Sequence, residues 1–251
     1  MGGQKLSLVP EALRCEQCSI RHQAVCGAMS DAEIETLNSI AHRRRFHAGQ
    51  VIVSDQEPAD FFANVLSGTI KLTKTLPDGR QQIVGLLFPP DFLGRAYSRS
   101  NPYFAEAATD VELCCFSHQS FERVIRDHPD LQHRLFERTL DELDAARDWM
   151  LLLGRKTAEE KLASFLVLLA RRSLLTRCAK TGTGAAGGAV FDLPLTRADI
   201  ADFLGLTIET VSRQLTKLKA QGLIRLKGSR TIEVPDAGQL QRIAGQDSLI
   251  A

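Results

Sequence analysis

Arg197-Ala-Asp-Ile-Ala201-Asp-Phe-Leu-Gly205-Leu-Thr207-Ile-Glu209-Thr-Val211-Ser212-Arg213-Gln-Leu215-Thr216 is the most tightly patterned stretch of this 251-residue chain. Ile200, Leu204, Leu206, Val211 and Leu215 fall where two short helices share one core. Ala201 is small where the helices would cross. Gly205 sits at the turn, where a positive φ costs glycine little. Thr207 is a good N-cap for the second helix. The stretch therefore predicts a helix-turn-helix. Glu209, Ser212 and Arg213 lie at i, i+3 and i+4, so they share one face of the second helix. That face suits a major groove. Arg213 has the donors for guanine O6 and N7, Glu209 can accept from cytosine N4, and Ser212 can reach a neighbouring base edge. A solvated face with an internal Glu–Arg pair is the plainer reading. The two are compatible, because such a pair holds the arginine in position.

The flanks extend this reading. Leu223 to Lys227 and Thr231 to Val234 bracket Gly228-Ser229-Arg230, predicting a two-stranded wing. Lys227 and Arg230 near its tip, with Lys217 and Lys219, are candidates for phosphate contacts, which position a protein without reading sequence. The near-neutral total charge hides an asymmetry. Residues 1–154 hold 16 Lys/Arg against 21 Asp/Glu, residues 155–230 hold 14 against 6, and residues 231–251 hold 1 against 3. A basic segment beside an acidic one fits polyanion binding by the basic part only, and with the helix-turn-helix the polyanion expected is double-stranded DNA.

Towards the amino end, Thr157-Ala158-Glu159-Glu160 reads as a capping box opening a helix to about Leu175, with Leu162, Phe165, Leu166 and Leu169 on its core face. Thr176 to Ala189 reads as a Gly/Ala/Thr-rich loop. Its Gly182-Thr-Gly184-Ala-Ala-Gly187 matches a dinucleotide pattern only formally, since a helix precedes it where a strand is required. Pro129 to Leu153 reads as one long helix, with Gly154 expected to break or bend it. Thr139, Leu143, Ala146, Met150 and Leu153 form a heptad-like seam, which predicts a homodimer; packing on the chain's own amino-terminal domain is the alternative. Trp149, Leu151 and Leu152 place apolar side chains on further faces. From Phe46 to Phe116 short strand-like runs alternate with turns such as Pro77-Asp78-Gly79 and Pro89-Pro90-Asp91, indicating an antiparallel barrel or roll. Ser30 and Glu33 form a capping box before a helix carrying Ile34, Leu37 and Ile40.

Six cysteines remain: Cys15, Cys18 and Cys26 spaced C-x2-C-x7-C, the adjacent pair Cys114-Cys115, and Cys178. Soft thiolates suit iron–sulfur clusters, zinc and copper(I). A disulfide framework belongs to short secreted domains instead. No run of eighteen apolar residues appears and no secretory signal is evident, so a cytoplasmic protein without a membrane span is expected. With no nucleophile–base pair, convincing P-loop or catalytic metal motif, an enzyme is not expected. The six histidines share no motif, so each reads as a surface or satisfied side chain rather than a haem ligand.

The order of parts resembles the cyclic-AMP receptor/FNR superfamily of bacterial transcription regulators over nearly the whole chain. Three stretches make its oxygen-sensing FNR branch the best match: Glu209-Thr-Val-Ser212-Arg213, Leu151 to Leu162 with its Leu-Leu-Gly-Arg-Lys-Thr-Ala-Glu-Glu interior, and the cysteine set. The resemblance implies an α+β chain. A cysteine-rich cluster-binding arm spans 1–28 and a cyclic-nucleotide-binding-like antiparallel β-roll spans 29–128. A dimerisation helix over 129–156, with Leu143, Ala146, Met150 and Leu153 in the interface, precedes a winged helix-turn-helix over 157–251. It implies an oxygen-labile [4Fe–4S] cluster on Cys15, Cys18, Cys26 and a distant cysteine, although the best-known pattern has five residues in the second gap. Alignment favours Cys114 as the distant ligand over Cys115, whose side chain would point to the opposite sheet face. It also implies a homodimer on an inverted repeat like TTGAT-N4-ATCAA at low oxygen, with Thr207, Glu209, Ser212, Arg213, Lys217, Lys227 and Arg230 at the DNA. RNA polymerase is the further partner, and Pro77-Asp78-Gly79-Arg80 resembles an activating loop. Cyclic AMP is not expected: Arg95 follows Gly94 where nucleotide-binding relatives carry a ribose-binding carboxylate, and the Arg99-Ser100 pair falls too early for the second element. The alternative is a regulator of this fold that senses through zinc, thiol redox or another ligand.

Overall fold

Val-Glu-Leu-Cys-Cys-Phe-Ser, residues 111–117, is the strand (β8, Val111–Ser117) on which the amino-terminal unit is built. The computed structural model describes residues 15–58, 60–98, 100–181, 188–228 and 230–245, with the side chains of residues 16 and 174–181 outside the description. The chain divides into two compact units at Leu140/Asp141. In the first, β8 lies between β1 (Ala41–Phe46) and β3 (Phe61–Ser67), and β6 (Phe92–Leu93) completes a four-stranded sheet. A second four-stranded sheet runs β2 (Val51–Val53), β7 (Phe104–Ala107), β4 (Ile70–Thr75), β5 (Gln81–Leu87). Every pairing is antiparallel.

Alternation along β8 gives this sheet two apolar faces. Val111, Leu113 and Cys115 join Phe46, Ile52, Val65, Ile70 and Leu93 inside the roll. Cys114 and Phe116 point the other way, under α1 (Asp31–Ile40), α2 (His118–Asp127) and the start of α3 (Pro129–Arg155). There Phe62, Phe116 and Phe121 are fully buried, and Phe121 lies 5.1 Å from each of the other two rings. Each such ring contributes about 1.5–3 kcal/mol through burial, with a further gain from ring–ring geometry. The Ser30–Glu33 capping box is present at the start of α1.

Strand β1 escaped the sequence pattern because its core, His42-Arg-Arg-Arg45, reads as polar. Its arginines nevertheless alternate. Arg43 and Arg45 meet Glu112 at 3.3 and 3.2 Å, while Arg44 spreads over the rings of Phe46 and Phe61. Long cationic side chains cover apolar surface with their stems while the charged head stays paired or wet.

The second unit contains the rest of α3, then α4 (Ala158–Thr181), β9 (Ala189–Asp192), α5 (Arg197–Leu204), α6 (Ile208–Ala220), β10 (Arg225–Lys227), β11 (Thr231–Val234) and α7 (Ala237–Ile243). Helix α3 ends at Arg155, one residue past Gly154, where the interruption was expected. Two expectations need correction. Helix α4 runs past Leu175 to Thr181, into the stretch expected to be loop. The wing is three-stranded, in the order β10-β11-β9. Gly182 to Gly187, Arg99, Ser229 and the Cys178 side chain lie outside the described residues, so the readings placed on them are not addressed by the structure. Among the described residues no helix is long and apolar enough to cross a membrane.

Candidate functional site

The reading element closes on itself. Thr196 and Asp199 form a capping box that opens α5, and Gly205 ends it at φ 61°, ψ 46°, with its N–H bonded to the Ala201 carbonyl. The Thr207 side chain then accepts from the Thr210 N–H at 3.2 Å to open α6. Ile200, Ala201, Leu204, Val211 and Leu215 are buried between the helices, while Leu206 is only half-buried. On the opposite face of α6, Glu209, Ser212 and Arg213 are all exposed. The Glu209 carboxyl is held below its usual range by its own backbone N–H and by the Thr207 hydroxyl. Its partners are therefore at the helix N-terminus, and the shared face is open to a groove.

The basic side chains differ in readiness. Lys217 pairs with Glu159 at 2.5 Å and Lys227 with Glu233 at 2.9 Å. Each would have to exchange a carboxylate for a phosphate. Lys219 and Arg230 are exposed.

Along α3, Leu143 is 44% and Met150 71% exposed; Ala146 is exposed and Leu153 half-buried. Exposed Phe136 and Leu140 extend this stripe towards the amino end. The apolar residues on further faces divide: Trp149 stacks on Phe203 at 4.2 Å and Leu152 is buried, whereas Leu151 is exposed.

The thiols form the second site. Cys15 begins a short 3-10 turn (Cys15–Gln17), and Cys26 sits in another (Val25–Ala28). Both pack against the outer face of β8, on the apolar cluster that contains Cys114. Burial pushes the Cys114 thiol up, and repulsion from Cys15, Cys26, Cys115 and Cys18 pushes it further, in that order. Cys26 is pushed up to about 12 by burial and then by Cys18 and Cys15. Cys15, Cys18, Cys26 and Cys114 therefore share one locality. Cys115 belongs to the roll interior, where burial raises it to about 12 and Arg44 opposes the rise.

Among the described residues, no three His, Cys, Asp or Glu side chains converge tightly enough to hold a single metal ion. Thiolates on a [4Fe–4S] core each bind a different iron, so they stand wider apart than ligands sharing one ion. Four crowded, half-buried or buried thiols that repel one another as anions suit a cationic core placed among them.

Four of the six histidines have local partners: His118 Nε2 lies 3.0 Å from the Ser98 carbonyl, His128 Nδ1 3.1 Å from Glu33, His133 3.3 Å from Glu137 and His47 3.5 Å from Asp110.

Sequence patterning missed Arg21. Its side chain is buried although it lies on an arm without regular pattern. Only the turn between Cys18 and Cys26 reveals it.

Comparison with known proteins agrees with both units. Residues 43–128 match the model of the cyclic nucleotide-binding domain, and residues 160–243 match that of the Crp-like helix-turn-helix domain. A probable transcriptional activator of Rhizobium leguminosarum bv. viciae is 50% identical over 91% of this chain and 92% of its own. The transcriptional activator protein FnrL of Cereibacter sphaeroides is 48% identical over 96% of both chains. Among solved structures, FixK2 from Bradyrhizobium japonicum superposes with a TM-score of 0.73 at 33% identity, covering 83% of this chain and all of that one.

Proposed function

Because the chain belongs to the Crp/FNR family of transcription regulators, we propose that it is an oxygen-responsive activator of the FNR/FixK type. In this reading Cys15, Cys18, Cys26 and Cys114 hold a [4Fe–4S] cluster, and a homodimer binds an inverted repeat like TTGAT-N4-ATCAA. The observation that carries the proposal is the shared locality of those four thiols on the outer face of β8, with Cys115 turned into the roll. When bound, such a cluster supplies an oxygen-sensitive redox centre.

The chain's own residues supply the rest. The arm that carries the thiols touches the first part of α3: Leu135 packs on the Cys114 cluster, and the Arg138 guanidinium donates to the Gln23 carbonyl. Ordering of the arm thus bears on the helix that carries Leu143, Ala146, Met150 and Leu153. Two copies joined along that helix would present two α6 helices to half-sites one helical turn apart, a geometry already established for this superfamily. Arg213, Glu209 and Ser212 read base edges, and Thr207, Lys217, Lys227 and Arg230 hold the backbone. Moving such a switch from nearly off to nearly on takes about 5.5 kcal/mol of differential stabilisation. Arg95 follows Gly94 where a ribose-binding carboxylate would be needed, which supports a reading without a bound cyclic nucleotide. The exposed Pro77–Arg80 turn, closed by an Asp78–Arg80 pair at 2.8 Å, is the proposed contact for RNA polymerase.

The test is anaerobic purification with iron and sulfide analysis, followed by footprinting of the repeat before and after iron removal. About four irons and four sulfides per chain are expected, with a footprint that depends on them. Equal footprints with and without iron would leave a DNA-binding regulator of this fold and remove the sensing.

A further inference from the structure

The seven residues between Cys18 and Cys26 are two more than the best-known spacing, and they fold into a turn that encloses one cation. Arg21 keeps only 10% of its side chain exposed. Nη2 donates to Asp31 Oδ1 at 2.6 Å, and Asp31 is itself 91% exposed, so this end of the guanidinium faces water. The other end does not: Nε is buried and has no hydrogen-bond partner. A buried guanidinium N–H without a partner is a costly group. The backbone holds it there. The Cys26 thiol donates to the Arg21 carbonyl at 3.8 Å. At Gly27 a Cβ would come within 2.9 Å of that carbonyl and 2.8 Å of the next, so only glycine lets the Cys26 turn lie against the Arg21–His22 turn. The guanidinium is close enough to Cys15 and Cys26 to oppose the rise in both thiols.

We propose that Arg21 is a positioning residue for the sulfur-bound group, its buried Nε–H donating to a cysteine or cluster sulfur and its charge offsetting that of the four thiolates. The inference rests on the cluster reading above. Net charge and hydrogen bonds to sulfur set the potential of an iron–sulfur centre. A cation beside it raises the potential and slows oxidation.

The full-length chain is compared anaerobically with Arg21→Gln, Arg21→Lys and Asp31→Asn. Arg21→Gln is expected to load iron and sulfide, to show a lower reduction potential and to bleach in air several-fold faster. Arg21→Lys should recover most of the potential, and Asp31→Asn, which keeps the guanidinium, should stay near the unmodified chain. A fully loaded Arg21→Gln with unchanged potential and bleaching overturns the inference and leaves the cluster reading standing. So does an Asp31→Asn chain that reproduces the Arg21→Gln shift, since the ion pair alone would then matter. Should Arg21→Gln not load, loading restored in Arg21→Lys upholds the charge; failure of all three variants assigns a purely structural role and overturns it. An unmodified chain without iron sinks the cluster reading itself, and that result precedes any variant.

Discussion

The reading element and the thiol site leave different groups open. In α5 and α6 the helix ends are closed from within, by Thr196 with Asp199, by Gly205 in the left-handed region and by Thr207. Glu209, Ser212 and Arg213 face solvent, although Arg197 Nη1 and Gln214 Oε1 are buried there without a partner. Around Cys114 the open groups are buried or half-buried thiols that repel one another as anions, with Arg21 Nε buried and unpartnered on the arm. A solvent-facing set is ready to bind as folded, whereas a crowded set of thiols suits an added group. Under the proposed reading regulation enters at the arm, and the DNA-reading unit is the output.

The sharpest break between the two regions is between neighbours on one strand. Cys114→Ala should abolish uptake of iron and sulfide and with it the iron-dependent footprint. Cys115→Ala should load fully and lose roughly 1 kcal/mol of stability from the roll core. Iron content and thermal melting of the two variants check this. The reverse pattern would move the ligand to the other sheet face and undo the assignment.

What could be read beforehand follows the range of the forces involved. The helix-turn-helix was legible because its constraints fall within twenty residues: Ala201 at the crossing, Gly205 at the turn, Thr207 at the cap. The cysteine locality was half legible. Alternation along β8 separates Cys114 from Cys115, but the position of the arm on that face depends on Val25, Met29, Leu37 and Leu131 packing together. Strand β1 was hidden because its partner lies about seventy residues away, with Arg43 opposite Cys114, and its arginines disguise the alternation. Trp149 and Leu152 read only as apolar side chains on further faces of α3, because helical periodicity names faces without naming what covers them. Arg21 left no pattern, since a tertiary turn alone buries it.

A smaller effect tests the open face of α6. Arg213→Ala should cost about 1–3 kcal/mol and relax specificity at one guanine. Binding to the repeat and to single-base variants, at one fixed salt concentration, reads this directly. A uniform loss across all sequences would show Arg213 touching phosphate only. The carboxy-terminal unit would then position without reading through this residue, and the contrast between the two regions would weaken.

The smallest effect belongs to the helix that seats the arm. Glu33 bonds the Ser30 hydroxyl and backbone N–H and then His128, and these hold its carboxyl down to about 2, from an ordinary value of 4.5. A depressed carboxyl stabilises the folded state above its unfolded value, and this contribution is lost as pH falls through the folded value. The window therefore runs from about pH 4.5 down to about 2. Glu33→Gln should lower the melting temperature of iron-free protein at neutral pH, and the gap from the unmodified chain should close across that window. Ser30→Ala should cost about 1 kcal/mol through the lost cap. Because Glu33 and His128 join the start of α1 to the end of α2, both lying over Cys114, the same variants should loosen the arm while leaving α5 and α6 untouched. A pH-independent gap would mean that Glu33 acts by packing alone, and the arm would then be seated by its apolar contacts without help from this ion pair.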